Sequence, residues 1–259
     1  MNNFSNVKLN GEEISMMKLN GTIIYQKGTI PEPELPIVAK YTLSDTSQTS
    51  PTYVGGKASD WTETVKNNND GTYTVTINAS KAPISICFDG MTSLISMDYL
   101  DVSKLYHSEL MFAYCTNLKY VNTSNWNKDL YDMANMFKNC VSLTSLDLSG
   151  ITTQSHNVGI FDSMFNGCSN LKTLDISNFY LNYFDMEEGY MARNTFDGCT
   201  SLHTVRMDNC NYWAMYEIVL PSNTIPGVTK NVYCREENMT DYYGEYRISF
   251  YSWTINYIE

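Results

Sequence analysis

The side chains that most often carry out chemistry in proteins form no recognised catalytic motif in this sequence. The histidines, His107, His156 and His203, are scattered and lie at no motif spacing from a serine or cysteine nucleophile. The sequence also lacks a glycine-rich phosphate loop, a His-Glu-x-x-His motif and an EF-hand loop. We therefore predict a protein that is not an enzyme and that has no cofactor and no metal site.

One acidic segment could in principle do chemistry. The stretch FDMEEGY, which begins at Phe184, places Asp185, Glu187 and Glu188 close together. Such carboxylates can bind calcium or act as the carboxylate pair of a glycan-degrading enzyme. A solvated acidic loop is the commoner arrangement, and we favour it. The glycan-degrading enzyme is kept as a distant alternative.

Five similar segments run from Ile84 to about Cys210 and organise the chain. Their anchoring phenylalanines are separated by 24, 25, 28 and 31 residues, and they are Phe88, Phe112, Phe137, Phe165 and Phe196. A period in this range is typical of a solenoid, whose stacked coils share one core. Each copy carries Leu-x-x-Leu-x-Leu or a close variant, which predicts one short strand per coil with its leucines pointing inward.

The cysteines follow the same repeat. The third residue after each phenylalanine is Met91 in the first copy and then Cys115, Cys140, Cys168 and Cys199. Free cysteine packs as a small hydrophobe, so this spacing predicts a buried column of thiols. A zinc site would need Cys-x-x-Cys or mixed Cys/His spacing, which is absent.

The residues between the leucine positions should face away from the core. We assign Leu100 and the following polar residues to this face: Asp98, Asn122, Asp147, Asp175 and Arg206. With the hydroxyl side chains beside them, they could hydrogen-bond the hydroxyls of a sugar. The alternative is a plain solvated surface.

A second candidate surface is the insertion that lengthens the last step. It should form a loop, and exposed aromatic rings on a rigid scaffold are a recognition feature. Its rings belong to Phe179, Tyr180, Tyr183, Phe184 and Tyr190, and Trp126 and Trp213 could join them by position. The alternative is that the loop folds back and buries its own rings.

The pattern Met-Phe-x-x-Cys-x-x-Leu-x-x-Leu-Asp-Leu-Ser resembles the BspA-like leucine-rich repeats of bacterial surface proteins, which also occur in phages of gut bacteria. The resemblance covers roughly residues 84–210. It implies a mainly β (α+β) fold, with a short leucine-rich-repeat-like solenoid between β caps, and a role in adhesion. The chain departs from the pattern in its longer third and fourth steps and in its poor first copy.

Residues 1–30 contain a tandem, VKLNG from Val7 and MKLNG from Met17. Asn-Gly is the strongest short hairpin signal, and it predicts strands near 5–9, 12–18 and 22–27. The pattern resembles N-terminal attachment modules of phage tail and baseplate-associated proteins, which implies contact with other virion proteins. An ordinary hairpin packed on its own chain is the alternative.

The remaining segments connect and cover the repeats. Residues 31–36 are proline-rich and predict a linker. Residues 37–83 predict either a small β module or an N-terminal cap, and we favour the cap. Residues 211–259 predict a C-terminal cap, with a homo-oligomer contact through a strand edge as the alternative.

Charge and location complete the functional prediction. The chain has 17 Lys+Arg against 28 Asp+Glu, a net charge of −11, which argues against nucleic acid as a partner. No apolar run is long enough for membrane insertion, and the N-terminal MNNFSNVKLNG lacks the features of a secretory signal. We therefore expect a phage virion structural protein (a fibre, tail or head decoration component) that binds a host-surface glycan or protein. The alternative is a bacterial BspA-like adhesin on the cell surface.

Overall fold

The computed structural model describes short strands within residues 8–26, detailed below, and then most of the chain from residue 37 onward. The described ranges of this second part are 37–54, 61–79, 85–103, 105, 108–126, 130, 133–151, 161–179, 194–210, 218–239, 250 and 252–259. In these parts the chain is mainly β, with one 3-10 turn at Glu236–Met239 and no α-helix. None of the described segments is a helix that could cross a membrane. The chain divides into two compact units, Met1–Leu35 and Pro36–Glu259.

The first unit contains two antiparallel strand pairs. β1 (Lys8–Leu9) pairs with β2 (Glu12–Glu13), and β3 (Met16–Leu19) pairs with β4 (Thr22–Gln26). Each pair encloses one of the two Asn-Gly steps, which themselves lie outside the described residues. The strand expected at 12–18 is therefore seen as two short strands that belong to different pairs.

The second unit begins with a mixed sheet. Its strands in chain order are β5 (Ile37–Leu43), β6 (Thr52–Val54), β7 (Trp61–Asn67), β8 (Thr72–Ala79), β9 (Ser85–Cys87), β10 (Leu94–Leu100) and β11 (Tyr120–Val121). Five of them form a sheet in the order β11-β10-β5-β8-β7, and β6 pairs with β9. β8 lies between β5 and β7 and is antiparallel to both, whereas β11 runs parallel to β10. The strands that precede the repeats thus share one sheet and one core with the first two coils.

The later coils build a second sheet, which is wholly parallel. Its strands are β12 (Ser145–Asp147), β13 (Thr173–Asp175), β14 (Thr204–Arg206), β15 (Asn231–Cys234) and β16 (Thr254–Tyr257). They pair in register, so that one residue of each strand forms an inward row: Leu146, Leu174, Val205, Val232 and Ile255. This arrangement confirms the predicted solenoid. The segment expected to cap its C-terminal end contributes two further strands to it.

A column of phenylalanine rings runs through the core. Phe88, Phe112, Phe137, Phe165 and Phe196 stack in sequence, with ring centroids 5.5, 5.3, 5.9 and 5.5 Å apart and planes within 14° of parallel. At the N-terminal end of the column, the Tyr41 ring meets Phe88 edge-on at 5.5 Å. The column therefore links the N-terminal sheet to the last repeats.

The thiols form a second column beside the rings, as the sequence predicted. Each donates to the carbonyl of the phenylalanine one coil earlier, over Sγ–O distances of 3.0–3.1 Å; these thiols belong to Cys115, Cys140, Cys168 and Cys199. All four are buried. Burial raises the pKa of these thiols, for Cys199 to about 12.

Adjacent coils approach closely in the turn that follows each phenylalanine. Its second residue is Gly90, Tyr114, Asn139, Gly167 or Gly198, with φ between 57° and 79° in every coil. A Cβ on Gly167 would lie 2.0 Å from Asn139 Oδ1, and one on Gly198 would lie 3.2 Å from the Gly167 Cα. Glycine at these two positions thus permits both the left-handed backbone and the contact between coils.

Candidate ligand-binding groove

Two rows of side chains point outward from the parallel sheet, because alternate residues of a strand face opposite sides. The strand register aligns the first row as Ser145, Thr173, Thr204, Asn231 and Thr254. It aligns the second row as Asp147, Asp175, Arg206, Tyr233 and Asn256. The outward face is therefore a surface of hydroxyl, carboxylate, amide and guanidinium groups. At a given position of the strand, the group is either the same in the next coil or replaced by another polar group.

A groove with a cavity volume of about 440 Å³ lies over this face. It brings together four of the predicted site residues, Asn122, Asp147, Asp175 and Arg206. The hydroxyl side chains of the first row line it as well, and Tyr120, 54% exposed, lines it at the coil of β11. The groove thus combines hydrogen-bonding groups of both polarities with one aromatic ring.

In two carboxylates of the groove, one oxygen accepts a backbone hydrogen bond from the turn that follows the strand. Oδ1 of Asp147 accepts the Ser149 N–H at 2.9 Å, and Oδ1 of Asp175 accepts the Ser177 N–H at the same distance. These bonds close the turn after each strand, which explains the Asp-x-Ser spacing of the repeat. The second oxygen is left for other contacts: Asp175 Oδ2 lies 3.8 Å from Arg206 Nε.

Arg206 is already balanced by carboxylates of its own chain. Its guanidinium donates to the Asp208 carboxylate and also faces Asp175. The hydrogen bond from Arg206 to Asp208, with the negative charges nearby, raises the pKa of Arg206. Because two carboxylates share one cation and Asp147 adds another negative charge, the described residues of the groove carry net negative charge.

The strand ladder is interrupted beneath the groove. Between β11 and β12, within the described residues, no backbone hydrogen bond forms, and the two strands belong to different sheets. The turns of the same two coils stay joined, since the Phe112 N–H donates to Met136 O at 2.8 Å and the Tyr114 N–H to Lys138 O at 2.7 Å. A side-chain bond from Thr123 Oγ1 to Asp147 O, 2.6 Å long, bridges the opening. The backbone ladder therefore has an opening between the second and third coils, although the two strands stay close enough for this side-chain bond.

Two residues predicted to face outward from the first coil do not line the groove. Asp98 accepts hydrogen bonds from Thr42 at 3.0 Å and Ser96 at 2.8 Å, so its carboxylate is used within the N-terminal sheet. The assignment of Leu100 to the outward face is wrong, because Leu100 is fully buried.

The proposal that Trp126 is a surface ring is also wrong. Trp126 is 1% exposed, stacks on Phe112 with ring centroids 6.2 Å apart, and donates from Nε1 to Leu100 O. Phe179, at the start of the insertion, is likewise buried against Phe161. Trp213 lies outside the described residues. The other aromatic and acidic residues of the insertion do so as well, and they are Tyr180, Tyr183, Phe184, Asp185, Glu187, Glu188 and Tyr190.

Sequence reasoning missed the continuation of the outward rows into the C-terminal segment. Tyr233 and Asn256 extend the second row, and Asn231 and Thr254 extend the first. These coils lack the Met-Phe-x-x-Cys pattern, so only the short alternations NVYC and TINY could have revealed them. In the described part of the chain, no group of three or more His, Cys, Asp or Glu residues is placed to hold a metal ion.

Comparison with protein families gives one match. A family described as "Mycoplasma protein of unknown function, DUF285" matches residues 83–212, which is half of the chain. The chain belongs to this family. The matched region coincides with the repeats and agrees with a BspA-like repeat family. Comparison with curated proteins and with solved structures gave no match.

Proposed function

We propose that this protein is a non-enzymatic virion protein of a phage, a fibre, tail or head decoration component whose solenoid binds a glycan or protein on the host surface. The observation that carries the proposal is the groove over the outward strand rows, which is lined by Asn122, Asp147, Asp175 and Arg206. Polar groups on a rigid β scaffold can bind a partner without loss of much side-chain freedom.

The first unit supports the attachment half of this proposal. It is a compact unit of its own, with antiparallel pairs around both copies of the tandem motif. Its strands are two to five residues long, and strands so short need a further surface to be stable. We assign that surface to another virion protein.

Weak individual contacts are sufficient for such a protein. A component present in several copies on one particle binds a cell through many sites at once, and the combined avidity exceeds the affinity of one site by orders of magnitude. A solenoid face of repeated polar groups suits this mode of binding, because it offers similar contacts along its whole length.

The family match favours a second candidate, a bacterial cell-surface adhesin, because it covers the repeats and does not extend to the first unit. Both candidates use the same groove for adhesion. They differ in the structure that carries the protein, a virion or a cell envelope.

The test combines location with binding. An antibody against the full chain is used to probe purified virions and the envelope fraction of the strain that carries the gene. Labelled full-length protein is then added to host cells before infection. We expect signal on virions and reduced phage adsorption. Signal in the envelope alone would favour the bacterial adhesin over the virion protein. Absence of binding to cells would contradict both candidates.

A further inference from the structure

The groove contains a small set of polar groups that the chain itself does not use. Ser145 and Asp147 are exposed, and Thr173 is partly exposed beside them. Among the described residues, Asp147 Oδ2, the Ser145 hydroxyl and the Thr173 hydroxyl have no hydrogen-bond partner, whereas Arg206 and Asn122 are engaged. Hydroxyls both donate and accept, and a carboxylate oxygen accepts from more than one donor. The free groups therefore match a ligand that is rich in hydroxyls.

The charge of the groove narrows the class of ligand. Because Arg206 is balanced by Asp175 and Asp208, no free cation is available among the described lining residues to bind a phosphate, sulfate or carboxylate. The net negative charge repels such anions. A single unpaired carboxylate, Asp147, is the type of group that accepts hydrogen bonds from neighbouring hydroxyls of one sugar ring. An uncharged sugar fits these conditions.

The dimensions of the groove require more than one sugar ring. Its lining residues come from four successive coils, those of β11, β12, β13 and β14. Hydrogen-bonded neighbouring strands are about 4.8 Å apart, so β12 to β14 alone span about 10 Å, and β11 lies beyond them. A monosaccharide cannot reach from Tyr120 to Arg206, whereas a short oligosaccharide can.

The opening between β11 and β12 supplies an anchoring point at one end. Backbone N–H and C=O groups that lack a ladder partner can bond to solvent or to a ligand instead. Tyr120 lies on β11 at this opening, and its exposed ring offers an apolar face beside those polar groups. This is the combination that a sugar ring needs, because its edge carries hydroxyls and its face carries C–H groups.

We propose that the groove binds an uncharged oligosaccharide that lies across the strands, with one sugar ring against Tyr120 and its neighbours hydrogen-bonded to Asp147, Ser145 and Thr173. The inference rests on the proposed function in adhesion and makes it more specific, since it names the ligand class and the residues that hold it. Backbone groups at the open ladder between the second and third coils complete the site.

Affinity electrophoresis of the full chain tests the ligand class. Gels contain neutral polysaccharides (mannan, dextran or galactan), anionic heparin or cationic chitosan. We expect at least one neutral polysaccharide to retard the protein, and heparin not to do so. Tyr120→Ala and Asp147→Asn should each weaken this retention about tenfold, because each removes one principal contact. Tyr114→Asn and Glu237→Gln, which alter an exposed tyrosine and an exposed carboxylate outside the groove, should bind as the wild type does. Retention by heparin or chitosan alone, or groove variants that bind normally, would overturn the inference.

Binding to host cells separates this inference from the proposed function. Cells are treated with periodate, which oxidises sugar diols, or with protease, before the wild type and the Tyr120→Ala variant are added. Loss of binding after periodate supports the oligosaccharide. Binding that needs Tyr120, survives periodate and is lost after protease assigns a protein ligand, so that adhesion stands and the inference fails. A wild type that binds no cells contradicts adhesion itself.

Discussion

Replacement of one phenylalanine in the stacked column should reveal how much the contacts between coils stabilise the protein. Phe165 is buried and lies between two rings, Phe137 at 5.9 Å and Phe196 at 5.5 Å. An aromatic pair contributes about 0.5–1.5 kcal/mol beyond the burial of its area. Phe165→Leu keeps most of the apolar volume but removes both pairs, so we expect the free energy of unfolding to fall by about 1–3 kcal/mol.

The matched variant is Phe196→Leu at the end of the column. Among the described residues, Phe196 stacks on Phe165 alone, so this change removes one pair and should cost about half as much, about 0.5–1.5 kcal/mol. Urea unfolding, followed by circular dichroism, gives the free energy of unfolding of both variants. The dependence of this free energy on urea concentration should be the same in both variants and in the wild type. Equal losses, or a larger loss at Phe196, would refute the idea that ring stacking between coils adds to stability one pair at a time.

Three further predictions concern the close turn and the buried thiols. Gly167→Ala should lower the free energy of unfolding by about 1–2 kcal/mol because of the left-handed backbone, and by about 1–3 kcal/mol more because of the clash with Asn139. In Gly71→Ala the added Cβ meets no neighbour, so thermal melts should show only the loss that comes from the left-handed backbone. Burial raises the pKa of the column thiols, so the unfolded chain releases protons above about pH 8.5 that the folded chain keeps. Stability should therefore be complete below that pH and fall above it, by up to about 1.4 kcal/mol per pH unit for each thiol, and Cys140→Ala should make the measured slope shallower by one thiol. Alkylation with iodoacetamide at pH 8 should modify these cysteines only after urea is added; rapid labelling of the folded protein would show that the column is accessible to solvent.

The repeat was readable from the sequence because its spacing is set by burial. Each coil must return Phe, Cys and Leu to one core, and so the period, the inward rows and the thiol column all follow from residue type. The outward positions of β12, β13 and β14 were predictable for the same reason, because strict alternation places Asp147, Asp175 and Arg206 on one face.

The failures lie where alternation is broken. The register of β10 against β5 shifts between Met97 and Tyr99, and a shift of one residue exchanges the two faces, which turns Leu100 inward. Trp126 follows a turn in which its N–H donates to Thr123 O, so the chain has already left the strand and directs the ring into the core. The opening between β11 and β12 depends on how two coils pack against each other, and no local residue pattern records it.

The contacts between coils have a consequence for how such proteins can change in length. Each thiol of the column bonds to the phenylalanine carbonyl of the preceding coil, and each ring of the column stacks on its equivalents. A whole unit therefore joins its neighbours through the same set of contacts wherever it stands. Duplication or loss of one unit between Phe137 and Phe196 would therefore leave both ends compatible. The solenoid could therefore become longer or shorter by one unit at a time without changes to the sequence of either end.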